Sequence, residues 1–142
     1  MNTQKKITIA LRLAMGFIFL WAFIDKTFGL GFATTAEKAW IQGGSPTYGF
    51  LSFAVKGPFT DFFHSLAGVA LVDWLFMLGL LFVGVTLLLG KYVKWGCLAG
   101  MVMLFGMYLA LLLPENNPVI DDHIIYILVL ALLGSIDSQK KS

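Results

Sequence analysis

A single cysteine, Cys97, among 142 residues leaves no partner for an internal disulfide and no CxxC dithiol. A lone thiol in an apolar run reads as a small buried hydrophobe. Charge is equally scarce. Only 13% of residues are charged and the net charge is +2, too weak a basic balance for nucleic-acid binding. No internal repeat and no low-complexity tract is visible. What fills the chain is apolar: 58% hydrophobic residues, 15% aromatic, and a mean hydropathy of +0.84. A water-soluble domain of this length needs a more polar surface, so the outward-facing area is expected to meet the lipid bilayer. The length suits one integral membrane domain, residues 1–142.

A spanning helix needs about 20 mainly apolar residues. Runs of that kind cover about 7–28, 69–90, 92–113 and 118–136. The expected fold class is therefore an all-α membrane protein, a bundle of four transmembrane helices. The first run follows Lys5-Lys6 and resembles a signal peptide at its start. It is longer than an h-region, contains Arg12 and ends on Asp25-Lys26, so it reads as a retained span. Gly90-Lys91 marks a tight turn between the second and third spans. Pro114-Glu-Asn-Asn-Pro118 joins the third to the fourth, its prolines stopping one helix and opening the next.

Lys5, Lys6, Arg12, Lys91, Lys94, Lys140 and Lys141 share one side of a four-crossing chain. Only Lys26, Lys38 and Lys56 fall on the other. That asymmetry predicts a multi-pass protein of the cell membrane with cytoplasmic N and C termini. The outer connection, residues 29–67, is too long for a turn. Thr34-x-x-Glu37 is a capping-box pattern that predicts a short interfacial helix over 35–42, anchored by Trp40 and broken at Gly43-Gly44. Phe59 to Phe63 begins a second amphipathic turn. The segment is expected to lie over the outer mouth as a lid. Gly96 and Gly100 form a GxxxG pair for close helix approach. His123 shares a helix face with Ile127, Ala131 and Gly134, and Asp73 with Met77 and Gly84, which turns both polar residues towards protein.

Ionisable groups at membrane depth are functional candidates. Asp25-Lys26, Asp73, and Asp121-Asp122-His123 all fall near the outer ends of their spans, with Trp21, Trp74 and Tyr126 close by. Asp73, Asp122 and His123 are the candidate catalytic residues. Lys26, Trp21, Trp74 and Tyr126 are the candidate substrate-binding residues. The plainer reading sets charges where helices leave the membrane and makes Asp121 a partner of the helix dipole. Arg12 reads as a snorkelling side chain, and the methionines of the third span as core filler. Haem ligation by His64 and His123 lacks any feature placing them on opposite faces of a macrocycle. A metal site from Asp73, Asp122 and His123 lacks ligand-pair spacing. Neither metal nor haem is expected.

Five ordered blocks carry a resemblance over nearly the whole chain. They are Phe19 to Phe32, Trp40 to Thr47, Gly57-Pro-Phe59, Asp73 to Leu80 and Asn117 to Tyr126. Together they resemble the DoxX/DoxD family of membrane proteins. That family includes the small subunit of thiosulfate:quinone oxidoreductase, which passes electrons from thiosulfate to membrane quinone and yields tetrathionate. The resemblance implies an oxidoreductase subunit with quinone as a substrate and with a second redox subunit or another copy of the chain as partner. It implies no set of catalytic residues. From the residues themselves, Lys26 and a protonated His123 could attract an anion such as thiosulfate. A quinone ring would suit a pocket lined by Trp21, Phe23, Trp74 and Tyr126. The alternative is a non-enzymatic scaffold or small-molecule-binding bundle whose polar cluster pins the helices together.

Overall fold

The computed structural model describes residues 1–141, side chains of Lys140 and Lys141 excepted. Five α-helices carry the chain: α1 (Thr3–Phe28), α2 (Thr60–Ser65), α3 (Ala70–Leu89), α4 (Val93–Ala110) and α5 (Asp122–Lys141). Four of them, all but α2, are long and apolar enough to cross a membrane. The shortest of these, α4, has 18 residues, about 27 Å at 1.5 Å per residue, close to the thickness of a bilayer core.

Large apolar side chains cover the outside of the bundle. Phe17, Leu75, Phe82, Trp95, Val102, Phe105 and Leu128 are all exposed. In water such a surface would drive association, whereas in lipid it is the ordinary exterior. Packing inside depends on small residues. A Cβ on Gly84 would lie 2.7 Å from Leu20 Cβ, and one on Gly100 would lie 2.7 Å from Leu130 Cδ1. α1 and α3 therefore touch backbone to side chain at Gly84, and α4 and α5 at Gly100. Gly96 packs against Thr86 of α3, so both glycines of the GxxxG pair serve contacts within this chain. The core is built on Met15, Phe19, Met77, Leu80, Val83, Leu87, Cys97, Leu104 and Leu130. Cys97 is buried there, as a small hydrophobe would be.

The helices close a ring: α1 packs on α3, α3 on α4, α4 on α5, and α5 back on α1. α3 and α5 are thus diagonal. Asn2, Gln4 and Lys5 line a common cavity with Ile136 and Gln139, which places both ends of the chain at one end of the bundle. Arg12 at that end does more than snorkel. Its Nη1 donates to the carbonyl oxygen of Leu87 in the last turn of α3, satisfying an acceptor that the helix end leaves open.

The opposite, loop end departs from the sequence expectations in three places. The capping box does not form and the 35–42 helix is two separate 3-10 turns, Ala36–Lys38 and Trp40–Gln42. The amide of Thr34 is held instead by the Asp25 carboxylate, and Ala39 between the turns is extended, at ψ 143°. The third span stops at Ala110 rather than 113, because Pro114 has no N–H for the Ala110 carbonyl oxygen, which instead accepts from the Lys56 amide at 3.0 Å. The fourth helix begins at Asp122 rather than Pro118. Asn117 Oδ1 accepts from the amides of Val119 (3.0 Å) and Ile120 (2.6 Å), folding 117–120 into a turn of its own.

Candidate functional site

Two carboxylates organise the loop end. Asp25 sits in the last turn of α1, where Gly29 ends the helix in a left-handed conformation (φ 66°) and sends its N–H to the Asp25 carbonyl oxygen at 2.7 Å. A Cβ at Gly29 would lie 2.6 Å from Thr35 O, so the chain can double back there only with glycine. The returning amides converge on the Asp25 side chain. Oδ1 accepts from Phe32 N (3.2 Å), and Oδ2 from Ala33 N (2.8 Å) and Thr34 N (3.1 Å). The residue is 1% exposed. The carboxylate is solvated by oriented amides and makes no ion pair among the described residues.

Asp73, in the first turn of α3, does the same for the next stretch of loop. Its Oδ1 accepts from Ser45 Oγ (2.8 Å), Thr47 Oγ1 (2.6 Å) and Thr47 N (3.3 Å). Asp73 is buried, as the helix stripe it shares with Met77 and Gly84 predicts. It does not meet His123. The His123 ring, through Nδ1, lies 2.8 Å from Asp121 Oδ2, and Asp121 Oδ1 accepts from Ile124 N at 3.2 Å, capping α5. Burial raises the Asp121 pKa, but the bonds from His123 and the Ile124 amide outweigh it and hold the carboxyl below its usual range. The separation of Asp73 from His123 follows from the ring order, since α3 and α5 face each other diagonally across the bundle.

The polar residues divide between two cavities. His123, Asp121 and Asp122 border an open hollow of about 680 Å³ with Lys56 and Glu115. Lys56 Nζ pairs with Glu115 Oε1 at 3.0 Å, and Asp122 is exposed on the rim. Lys26 opens into a different cavity of about 230 Å³, roofed by Pro46, Thr47, Phe50 and Leu51, with Phe63 and Leu66 from α2 and its end. Val72 and Phe76 of α3 and Met103, Gly106 and Met107 of α4 complete it. A small second core of Leu51, Val55 and Ala110 packs beside this pocket and fastens its roof.

Of the residues singled out from the sequence, Lys26 lines this pocket, and Asp73 fastens its roof through Thr47. Trp21 stacks on Phe17 (centroids 5.8 Å apart) and meets Phe32 edge-on at 5.1 Å. Trp74 meets Trp40 edge-on at 4.7 Å, pinning the second 3-10 turn to α3. Tyr126 and Phe23 pack against the main core. The aromatic lining is supplied instead by Phe50, Phe63 and Phe76, with Met103 and Met107. Only the proximity of Phe50 and Phe63 to the loop glycines and prolines hinted at this. The role of Asp25 was signalled by a carboxylate one turn before a Gly-x-Gly reversal.

Lys26 is the one charged side chain among the lining residues. Among the described residues it makes neither an ion pair nor a hydrogen bond. Asp25 acts on it electrostatically from beyond ion-pair distance. An apolar chamber with one cation on its wall is suited to a ring or short chain bearing an oxygen acceptor.

Compared with family models, with curated proteins and with solved structures, the chain matches none of them.

Proposed function

We propose that this is a multi-pass membrane protein, its termini cytoplasmic, that binds a small ring-bearing molecule in the Lys26 pocket as a subunit of a membrane oxidoreductase. The ligand class is a quinone head group. The observation that carries the reading is the chamber itself: aromatic and thioether walls around one unpaired lysine, at the end of a lipid-facing bundle. A cavity of about 150 Å³ accommodates benzene, so 230 Å³ leaves room for one substituted ring. Lys26 would donate to a ring oxygen, and the aromatic walls would stack on the ring. On reduction a quinone takes up electrons and protons. The electrons would come from a partner subunit, the arrangement implied by the DoxX/DoxD resemblance. Thiosulfate, the electron donor that the resemblance implies, would meet Lys26 and His123 in separate cavities.

Gly106 provides the test. A Cβ there meets no atom within 4 Å, and the residue lines the pocket, so Gly106→Leu fills the chamber without a backbone clash. Purified parent protein should yield extractable quinone, and Gly106→Leu should yield little. Equal quinone in both, or none in the parent, would end the proposal.

One observation favours a second reading, a non-enzymatic scaffold. Asp25, Asp73 and Asp121 all spend their oxygens on loop amides, hydroxyls or a helix cap. Under that reading Gly106→Leu and the parent behave alike in every partner complex.

A further inference from the structure

We infer that the Lys26 pocket selects an oxyanion: its ligand is a single ring, or a body of that size, carrying one negatively charged oxygen. This deepens the pocket reading above and rests on it. A cation lining an apolar chamber with no ion pair or hydrogen bond, and with Asp25 acting on it only from beyond ion-pair distance, is costly, and bound anionic oxygen would relieve that cost. Two carboxylates lie close to the pocket, Asp25 beside Lys26 in the chain and Asp73 beside the lining residue Val72, and both are committed elsewhere. Asp25 holds the amides of Phe32, Ala33 and Thr34. Asp73 holds Ser45 and Thr47. Asp25 could turn to Lys26 only by releasing the amides of 32–34, and Asp73 only by releasing Thr47 of the roof. No acidic residue lines the chamber, so nothing inside repels an anion. Its volume of 230 Å³ limits the body to about one substituted ring. A neutral quinone carbonyl satisfies Lys26 only in part. A phenolate-type oxygen, such as a partly reduced quinone presents, supplies the missing charge.

The test compares two fluorinated rings of nearly equal shape, pentafluorophenolate (ionised at neutral pH) and its neutral methyl ether, by fluorine NMR on the full chain in detergent. In the parent protein the phenolate should bind about tenfold more tightly than the ether, the factor expected from one charge-assisted contact. In Lys26→Met and Lys26→Gln the two should bind alike. In Gly106→Leu both should be lost. Equal binding of both rings to the parent overturns the oxyanion inference and leaves the pocket standing. A phenolate preference that survives both Lys26 variants removes Lys26 from the assignment. Failure of both rings to bind, or binding indifferent to Gly106→Leu, overturns the pocket reading as well.

Discussion

Replacing Asp25 by asparagine is the most informative single change to the fold, because its effect can be worked out bond by bond. The carboxylate is 1% exposed and accepts three backbone N–H groups. An amide side chain has one acceptor oxygen. Placed as Oδ1, it keeps only the longest bond, to Phe32 N, and turns an NH₂ group against the amides of Ala33 and Thr34. Flipped, it keeps those two and faces Phe32 N with a donor. At least one backbone donor therefore loses its partner. Phe32 and Ala33 are exposed and can turn to water, whereas Thr34 is buried. A bond to a charged acceptor contributes about 1.5–3 kcal/mol. The flipped arrangement forfeits the weakest bond and the charge assistance of the others, which sets the cost of Asp25→Asn at about 1–3 kcal/mol. Asp25→Ala abandons all three and should cost more. Thermal unfolding in detergent reads the total, and hydrogen exchange at residues 32–34 reads its location. Unchanged melting, with the amides of 32–34 as protected as in the parent, would refute the claim that this carboxylate organises the loop.

Four further outcomes are expected. Gly84→Leu should destabilise the bundle by about 1–3 kcal/mol through overpacking against Leu20, while Gly106→Leu should melt like the parent; equal melting of both variants would contradict the packing account. Asp121→Ala should cost about 1 kcal/mol through loss of the α5 cap. Because the folded carboxyl titrates below its usual range, that cost should be fully present above the unfolded carboxylate range and shrink as pH falls through the folded value; a penalty that grows towards acid would reverse the sign. Asp73→Ala should speed hydrogen exchange across residues 45–51 and weaken ligand retention, and unaltered exchange there would free the roof from Asp73. Cysteines placed at Lys91 should be shielded from an impermeant thiol reagent in intact cells and those at Ser45 labelled; the opposite pattern would invert the topology.

The helices were legible because each span is a run of apolar residues long enough to cross a bilayer, with Gly96, Gly100 and Gly84 marking the packed faces. The burial of Asp73 was legible for the same reason, since it shares a stripe with Met77 and Gly84. What the residues could not disclose is which polar groups meet. In a bundle whose exposed surface is almost as apolar as its core, the pattern along a helix says little about its neighbours in the ring. His123 and Asp73 were matched by depth and by the small residues that turn each inward, and the diagonal placement of α3 and α5 keeps them apart. Loop structure was hidden for a different reason. Thr34-x-x-Glu37 has the local chemistry of a helix start, but a carboxylate nine residues earlier captures the Thr34 amide. Met103 and Met107 looked like filler because nothing along α4 shows that the loop leaves a chamber beside them.

The central claim is that the chamber at Lys26, rather than the apolar outer surface, receives a quinone-class ring. A photoreactive quinone analogue, crosslinked to the full-length protein and mapped by peptide mass spectrometry, tests it directly. The account predicts adducts on the walls, at Phe50, Phe63, Met103 and Met107, that disappear in Gly106→Leu. Adducts confined to exposed positions such as Phe82 and Val102, unchanged by Gly106→Leu, would contradict it.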